Sequence, residues 1–262
     1  MPKFAANLTM LFNEVDFLDR FQAARESGFR GVEYLFPYAY PKEQLAELLA
    51  LNGLTQVLHN LPAGDWANGE RGIAILPNRT GEFQDGVGKA IDYAKALGCK
   101  QVNCLSGIAP VNAKANELHD TFISNIRFAS TALKANGIDL LIEPINTFDI
   151  PGFYACRSKQ TLDLIDEAGC DNVFLQYDIY HMQRMEGELA ATIKKNLPRI
   201  THMQLADNPG RNEPGTGEIN YAFLFDYIDK LGYTGWIGCE YKPATTTLDG
   251  LGWLKPYLNH NN

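Results

Sequence analysis

The sequence lacks the features that mark membrane, exported and disulfide-stabilised proteins. None of its apolar runs reaches about 18 residues, the length that a membrane-spanning helix needs. Residues 1–6 contain no basic stretch that leads into an apolar signal segment. The five cysteines form no Cys-x-x-Cys pair, and their odd number favours free thiols. These absences predict a cytoplasmic protein with no membrane partner.

Positive charge is also scarce in this chain. Its 23 Lys and Arg residues stand against 31 Asp and Glu residues, which gives a formal net charge of −8 at pH 7. Because surfaces that bind nucleic acid or anionic membranes concentrate basic residues, this balance disfavours both as partners. No Gly-x-Gly-x-x-Gly follows the first predicted strand, so no nucleotide cofactor is expected. A small molecule is therefore the expected ligand.

What the sequence contains is a repeated alternation of strand-like and helix-like segments. Eight short apolar runs have the length and composition of strands, at residues 4–10, 31–35, 55–61, 101–105, 138–143, 173–178, 200–205 and 236–240. Helical patterns separate them, and the clearest covers residues 121–134. Glycine stands where a left-handed helix cap is expected at six joints: Gly28, Gly53, Gly98, Gly137, Gly169 and Gly232. This order predicts a single (β/α)₈ TIM-barrel domain over residues 1–262.

Four polar residues close the later strands. Glu143, Asp178, Gln204 and Glu240 stand at intervals of 35, 26 and 36 residues, each at the end of an apolar run. In a (β/α)₈ barrel the carboxyl ends of all strands meet on one face, so these side chains are expected to converge. Three carboxylates and an amide oxygen suit a hard cation and predict a Mg²⁺ or Mn²⁺ site. Taken singly, each carboxylate has the alternative role of a helix N-cap.

The same residues indicate proton-transfer chemistry. Glu143 and Glu240 follow the fifth and eighth predicted strands and could flank a bound substrate. A divalent ion that holds the two oxygens of a 2-hydroxy-carbonyl compound would acidify the adjacent C–H. One glutamate would take that proton and the other would deliver a proton to the neighbouring carbon. The result is an aldose–ketose isomerisation through an enediolate.

An anionic substrate would need an added cation in such a site. Three carboxylates leave a negative charge around one divalent ion, and the basic residues that could offset it are Arg71, Arg184, Arg211 and Lys242. Arg211 lies in a glycine-rich segment whose backbone could approach a ligand, although a surface turn has the same composition.

Two further features are candidates for contact with the substrate. Glu70 and Arg71 lie in a long glycine-rich loop, residues 62–78, which could close over the site; a plain solvated loop is the alternative. His59 and His181 follow predicted strands and could reach substrate oxygens, or could be buried structural histidines.

Six segments of the chain closely resemble the bacterial hydroxypyruvate isomerase family. They are residues 58–72, 142–146, 149–153, 176–187, 213–221 and 238–243, and the resemblance spans nearly the whole chain. It implies a xylose-isomerase-like barrel that interconverts hydroxypyruvate and tartronate semialdehyde in glyoxylate metabolism. It also implies an acid/base pair of Glu143 and Glu240, and Mg²⁺ or Mn²⁺ bound by those two residues with Asp178 and Gln204. Ketose epimerases of the same superfamily usually carry histidine where Gln204 stands, which brings this chain nearer to the isomerases.

The sequence leaves three alternatives to that function. The related 2-oxo-tetronate isomerases share much of the pattern and act on a substrate one carbon longer. A non-catalytic protein that binds sugar acids could retain the metal residues. Endonuclease IV-type nucleases use a similar barrel, but five histidines and a charge of −8 disfavour their histidine-rich zinc site and basic DNA face. A homo-oligomer is compatible with the sequence.

Overall fold

Eight parallel strands close into a barrel in sequence order. The computed structural model describes residues 1–258, so the last four residues of the predicted domain, 259–262, lie outside the described part of the chain. The strands are β1 Lys3–Asn7, β2 Gly31–Glu33, β3 Thr55–Asn60, β4 Gln101–Cys104, β5 Asp139–Ile142, β6 Val173–Asp178, β7 Ile200–Leu205 and β8 Trp236–Cys239. Pairing of β8 with β1 completes the ring. The predicted (β/α)₈ fold is confirmed.

Helices follow the strands and pack around the barrel. Within residues 1–258 they are α1 Arg20–Glu26, α2 Lys42–Asn52, α3 Thr80–Leu97, α4 Ala115–Lys134, α5 Ser158–Ala168, α6 Ile179–Met185, α7 Leu189–Asn196, α8 Tyr221–Lys230, α9 Thr247–Gly250 and α10 Lys255–Leu258. Short 3-10 helices cover Phe17–Asp19, Trp66–Asn68, Pro77–Arg79, Leu197–Arg199 and Leu251–Leu254. In this part of the chain, no helix has both the length and the apolar character to cross a membrane.

The predicted elements differ from the observed ones mainly at their ends. All eight strands are present, but the first ends at Asn7 and not at residue 10, because the Asn7 side chain accepts a hydrogen bond from the Thr9 backbone N–H (3.0 Å) and starts a turn. The clearest predicted helix begins at Ala115, six residues earlier than expected, since its first six residues are mostly polar and only Leu118 extends the apolar stripe toward the N-terminus. All six glycines at the predicted caps have positive φ.

Side chains inside the barrel form an apolar layer and a polar layer. Near the amino ends of the strands, the interior is filled by Ala5, Val57, Leu58 and Leu141, with Phe174 and Trp236 packed against them. Buried polar side chains lie nearer the carboxyl ends: Asn7, Glu33, Asn103, Gln176, His202 and Gln204. Bulky branched residues usually fill a TIM-barrel interior, so this polar layer marks the end of the barrel where function is expected.

Candidate active site

Three carboxylates and one imidazole meet at the carboxyl end of the barrel. Glu143 follows β5, Asp178 ends β6, His181 lies in the first turn of α6 and Glu240 follows β8. One ligand atom from each of the four buried residues lies within 4.8 Å of the others. The structure therefore brings together three of the four residues that the sequence assigns to a metal, and it adds His181. This buried cluster could hold a metal ion.

Asp178 serves both as a helix cap and as a cluster residue. Its Oδ1 accepts hydrogen bonds from the backbone N–H groups of Tyr180 (2.7 Å) and His181 (3.1 Å) and so caps α6. Its Oδ2 is buried and has no hydrogen-bond partner within residues 1–258. The helix cap thus uses one oxygen of this carboxylate and leaves the other available to a cation, so the two roles that the sequence left as alternatives are compatible.

The electrostatics of the cluster favour a cation. Burial raises the pKa of Glu143 well above its ordinary value, and the negative charges of Glu240 and Asp178 raise it further. Burial also raises the pKa of Glu240, although the Arg211 guanidinium opposes this rise. A divalent ion would neutralise the repulsion between the buried carboxylates and would give the unpartnered Asp178 oxygen a partner. These residues therefore fit a metal.

Gln204, the fourth predicted metal residue, lies beside Asp178 on the neighbouring strand. Its Oε1 accepts a hydrogen bond from Gln176 Nε2 (2.6 Å), and its Nε2 donates to Glu33 Oε1 (2.8 Å). An amide oxygen has two lone pairs, so one is left for a cation after the bond from Gln176. The part played by Gln204 in metal binding stays a prediction.

Arg211 is the predicted substrate-binding cation that lies beside the cluster, in contact with Glu240. Its Nη2 is 2.8 Å from Glu240 Oε2, and its guanidinium carbon is 5.2 Å from the centroid of the Tyr180 ring. Its Nε is buried without a hydrogen-bond partner in the described residues. Lys242 is exposed instead, and its backbone N–H donates to the carbonyl of Arg211 (2.8 Å). Arg211 therefore fits the role of an added cation better than Lys242 does.

His59 does not join the cluster. It is buried on the outer face of β3, where its Nδ1 lies 3.4 Å from the hydroxyl of Tyr38. The next residue, Asn60, faces the barrel interior and accepts a hydrogen bond from Asn103 Nδ2 (3.2 Å). Because side chains alternate along a strand, His59 must face away from the site. Burial lowers the pKa of His59 to about 4, so its imidazole is neutral at pH 7. This agrees with the alternative that the sequence left open, a buried structural histidine.

The predicted lid loop is braced by its own side chains. Glu70 does not reach the cluster, because its carboxylate pairs with Arg79 Nη1 at 2.6 Å. The guanidinium carbon of Arg71 lies 4.1 Å from the centroid of the Trp66 ring, and Arg71 Nη1 donates to the Trp66 carbonyl (3.0 Å). Trp66 packs against Phe36, which follows β2, so the loop lies at the site end of the barrel. A contact of Arg71 with substrate stays a prediction.

A hydrogen-bonded carboxylate that the sequence analysis missed lies beneath the cluster. Glu33 is buried at the end of β2, and its oxygens lie 3.0 Å from Asn7 Nδ2, 2.8 Å from Gln204 Nε2 and 2.7 Å from His202 Nε2. Glu33 therefore determines which way the Gln204 amide points.

Three other residues of this buried polar layer, which the sequence analysis also missed, lie beneath the cluster: Asn103, Gln176 and His202. Asn103 Nδ2 donates to Glu143 Oε2 (2.9 Å) and so orients the carboxylate. Gln176 and His202 lie two residues before Asp178 and Gln204 on their strands. Strand alternation places residues two apart on the same face, so this spacing was the signal that could have identified both.

Replacing Gly238 with alanine is expected to destabilise the protein. A Cβ atom at this position of β8 would lie 2.3 Å from both carboxylate oxygens of Glu33, which its three hydrogen-bond partners hold in place. We expect Gly238→Ala to lower the free energy of unfolding by about 2 kcal/mol, in the range for overpacked interiors, as measured by urea denaturation.

Gly88 provides a matched control for this substitution. It lies in α3, and a Cβ atom there would have nothing within 4 Å. Gly88→Ala should leave stability unchanged or raise it by about 0.5–1 kcal/mol, because alanine is the better helix former. Equal stability of Gly238→Ala and the wild-type protein would contradict the crowding argument.

The chain is similar to known proteins over nearly its whole length. The family model of the xylose isomerase-like TIM barrel matches residues 21–257. Hydroxypyruvate isomerase of Escherichia coli (strain K12) is 57% identical over 257 residues, which cover 98% of this chain and 100% of that protein. A 2-oxo-tetronate isomerase of Cupriavidus necator is 47% identical and covers 98% of this chain and 99% of its own. A crystal structure named as AP endonuclease, family 2, from Brucella melitensis is 45% identical, with a TM-score of 0.96 and coverage of 98% and 99%.

Proposed function

Because this chain belongs to the xylose isomerase-like TIM-barrel family, and within it to the hydroxypyruvate isomerase family, we propose that it reversibly isomerises hydroxypyruvate to tartronate semialdehyde (2-hydroxy-3-oxopropanoate). The observation that carries the proposal is the buried pair Glu143 and Glu240, whose carboxylates meet at the barrel mouth in a chain 57% identical to such an isomerase. The substrate would be a small anionic hydroxy-oxo acid. A cytoplasmic location and a homo-oligomeric state stay predictions.

Glu143 and Glu240 would carry the two proton transfers at carbon. One carboxylate removes a proton from C3 of hydroxypyruvate, which bears the hydroxyl group, and the other delivers a proton to C2. A hydroxyl hydrogen passes from the C3 oxygen to the C2 oxygen, so the product is an isomer of the substrate and no oxidant is consumed. Both carboxylates are buried, so bulk water would have little access to the enediolate while substrate is bound. Asn103 and Arg211 orient Glu143 and Glu240, respectively.

The same carboxylates would hold Mg²⁺ or Mn²⁺. Glu143, Asp178 and Glu240 offer the oxygen ligands that these ions prefer, and Gln204 lies beside Asp178 with a lone pair to spare. When bound, the cation would polarise the substrate carbonyl and favour loss of the neighbouring C–H proton.

Arg211 would bind the substrate carboxylate. It is buried beside Glu240, and its unpartnered Nε is a free donor for an anion within the described residues. A guanidinium can form two parallel hydrogen bonds to a carboxylate, which would also fix the direction in which a three-carbon acid enters the site.

A 2-oxo-tetronate is the second candidate substrate. The 47% identical relative from Cupriavidus necator favours it, since one cluster of carboxylates could serve both reactions. A nuclease function has less support, although the relative from Brucella melitensis is named as an endonuclease. The cluster contains a single histidine among four residues, and the net charge of −8 would repel DNA.

Proton NMR in D₂O tests both substrates. Metal-stripped protein is incubated with hydroxypyruvate before and after addition of Mg²⁺ or Mn²⁺. We expect tartronate semialdehyde to form only with metal and to contain deuterium at C2, because the proton delivered there comes from a group that exchanges with solvent. Turnover of a 2-oxo-tetronate but not of hydroxypyruvate would show that the substrate is the longer acid and would leave the proposed mechanism unchanged. Turnover of neither would favour a sugar-acid-binding protein and contradict the proposal.

A further inference from the structure

The Asn146 side chain lies behind His181 in one fixed orientation. Asn146 is fully buried after β5, and its Oδ1 accepts hydrogen bonds from the backbone N–H groups of Phe148 (3.1 Å) and Asp149 (2.8 Å). A backbone N–H can only donate, so the side-chain atom that faces both must be the amide oxygen. The other terminal atom of the amide is therefore the nitrogen.

The amide nitrogen donates in two directions. Nδ2 of Asn146 lies 3.0 Å from Asp149 Oδ2 and 2.6 Å from His181 Nδ1, and its two hydrogens serve one contact each. The backbone nitrogen of Asn146 lies 3.5 Å from the same ring nitrogen. His181 Nδ1 thus faces two donors.

Asp149 remains an acceptor in this arrangement. Burial alone would raise the pKa of its carboxyl, but hydrogen bonds from Asn146 and Tyr180 and the charge of Arg184 lower it overall. Tyr180 donates its hydroxyl hydrogen to Asp149 Oδ2 (2.9 Å), and Arg184 Nη1 lies 2.5 Å from Oδ1. An ionised carboxylate takes one Asn146 hydrogen and leaves the other for the imidazole.

This geometry decides where the imidazole hydrogen lies. A hydrogen on Nδ1 would point at the two donors of Asn146, so Nδ1 must be the accepting nitrogen and Nε2 must carry the hydrogen. His181 Nε2 lies 3.6 Å from Asp178 Oδ2 and 3.8 Å from Glu143 Oε1, inside the cluster. A ring nitrogen that carries hydrogen has no lone pair with which to bind a metal.

We propose that Asn146 is a positioning residue that fixes the tautomer of His181, so that His181 enters the cluster as a hydrogen-bond donor and not as a metal ligand. The metal is then left to oxygen ligands, which agrees with a hard cation. That the Nε2 hydrogen is donated to a substrate oxygen rests on the proposed function. The tautomer itself does not, and it can be measured without substrate.

Nitrogen NMR of the full-length protein labelled with ¹⁵N-histidine tests the tautomer. The His181 signals are assigned by their loss in His181→Gln. We expect a pyrrole-type shift for Nε2 and a pyridine-type shift for Nδ1 in the metal-free protein, and the same pattern after addition of Mg²⁺, which is diamagnetic. A pyrrole-type Nδ1, or loss of the Nε2 hydrogen on addition of Mg²⁺, would overturn the proposal.

Asn146→Asp tests the cause, because it replaces the donor by an acceptor of the same shape. We expect the hydrogen to move to Nδ1 and kcat to fall by about 10²-fold to 10³-fold, the loss typical of one donor to a developing oxyanion. Tyr180→Phe is the matched control: it removes the other side-chain donor to Asp149 Oδ2 but leaves the contact with His181, so the wild-type tautomer should persist.

A third variant covers the case in which Asn146→Asp does not fold. Asn146→Ala keeps only the backbone N–H near Nδ1, and we expect its spectrum to show a mixture of tautomers. An unchanged single tautomer in whichever variant folds would show that Asn146 does not set it.

Discussion

Replacing Glu143 with glutamine is expected to abolish turnover while the fold is kept. Glutamine has the shape of glutamate but cannot accept the substrate proton, and general acid–base catalysis alone contributes about 10²-fold to 10⁴-fold. The substitution also removes one of the carboxylates that fit a metal, so we expect kcat to fall by about 10⁴-fold. Proton NMR in D₂O over long incubation measures both residual product and residual exchange of the substrate C–H.

The stability of Glu143→Gln separates lost chemistry from lost structure. Burial and the charges of Glu240 and Asp178 raise the pKa of Glu143, so its ionised form is unfavourable in the metal-free protein. The neutral amide removes this repulsion, and we expect a Tm equal to or above that of the metal-free wild-type protein.

Glu117→Gln provides the matched control for the same chemical change. Glu117 lies exposed in the first turn of α4 and pairs with Lys114 at the surface. It does not belong to the buried cluster of Glu143, Asp178, His181 and Glu240. Its variant should retain wild-type kcat, because an exposed ion pair contributes little. If Glu143→Gln kept more than a tenth of wild-type turnover, Glu143 would not be an acid–base residue. Tight binding of hydroxypyruvate by an inactive wild-type protein would instead favour the binding-protein alternative.

Removal of the metal is expected to have the second-largest effect. Chelation should lower kcat by about 10³-fold, since a cation that polarises a carbonyl supplies several kcal/mol of transition-state stabilisation. It should also lower Tm, because Glu143, Asp178 and Glu240 are then crowded in a buried site where the single charge of Arg211 offsets them incompletely. At a metal concentration 1,000 times Kd, binding adds about 4 kcal/mol to the free energy of unfolding. Activity and calorimetric scans with increasing Mg²⁺ or Mn²⁺ measure both effects.

Asp178→Asn shows whether the gain in stability comes from this cluster. Asparagine keeps the oxygen that caps α6, but it removes the charge of the oxygen that has no partner in the described residues. We expect the Tm of this variant to respond to Mg²⁺ far less than that of the wild-type protein. Equal Tm values for the wild-type protein with and without metal, at full activity, would contradict a metal-dependent mechanism.

Periodicity along the chain was sufficient to predict the barrel and much of its site. Each strand overlaps one of the eight predicted runs, and the glycines at the predicted caps adopt the left-handed conformation that ends a helix. Once eight parallel strands are assumed, geometry brings their carboxyl ends together. The meeting of Glu143, Asp178 and Glu240 could therefore be predicted from residues far apart in the sequence.

The face on which His59 lies could not be read from its strand alone. The register of the β2–β3 pair shifts between Val32 and Glu33. The alternation of side chains along β2 therefore does not predict which side chains of β3 face the barrel interior. The contact of Asn60 with Asn103 shows which side chain points inward, and that contact exists only in the closed barrel. The ion pair of Glu70 with Arg79 could not be predicted for a similar reason, because the two side chains meet only when the loop folds back.

The sequence by itself thus determined the eightfold alternation and the acidic residues at the strand ends, because both depend on short-range periodicity and on one general property of parallel barrels. Only the tertiary structure decided the hydrogen-bond partners: Glu33 beneath Gln204, and Asn146 behind His181. These pairs join residues 171 and 35 positions apart. No local pattern encodes which donor meets which acceptor, because the direction of a hydrogen bond depends on distances and angles that exist only after the chain has packed.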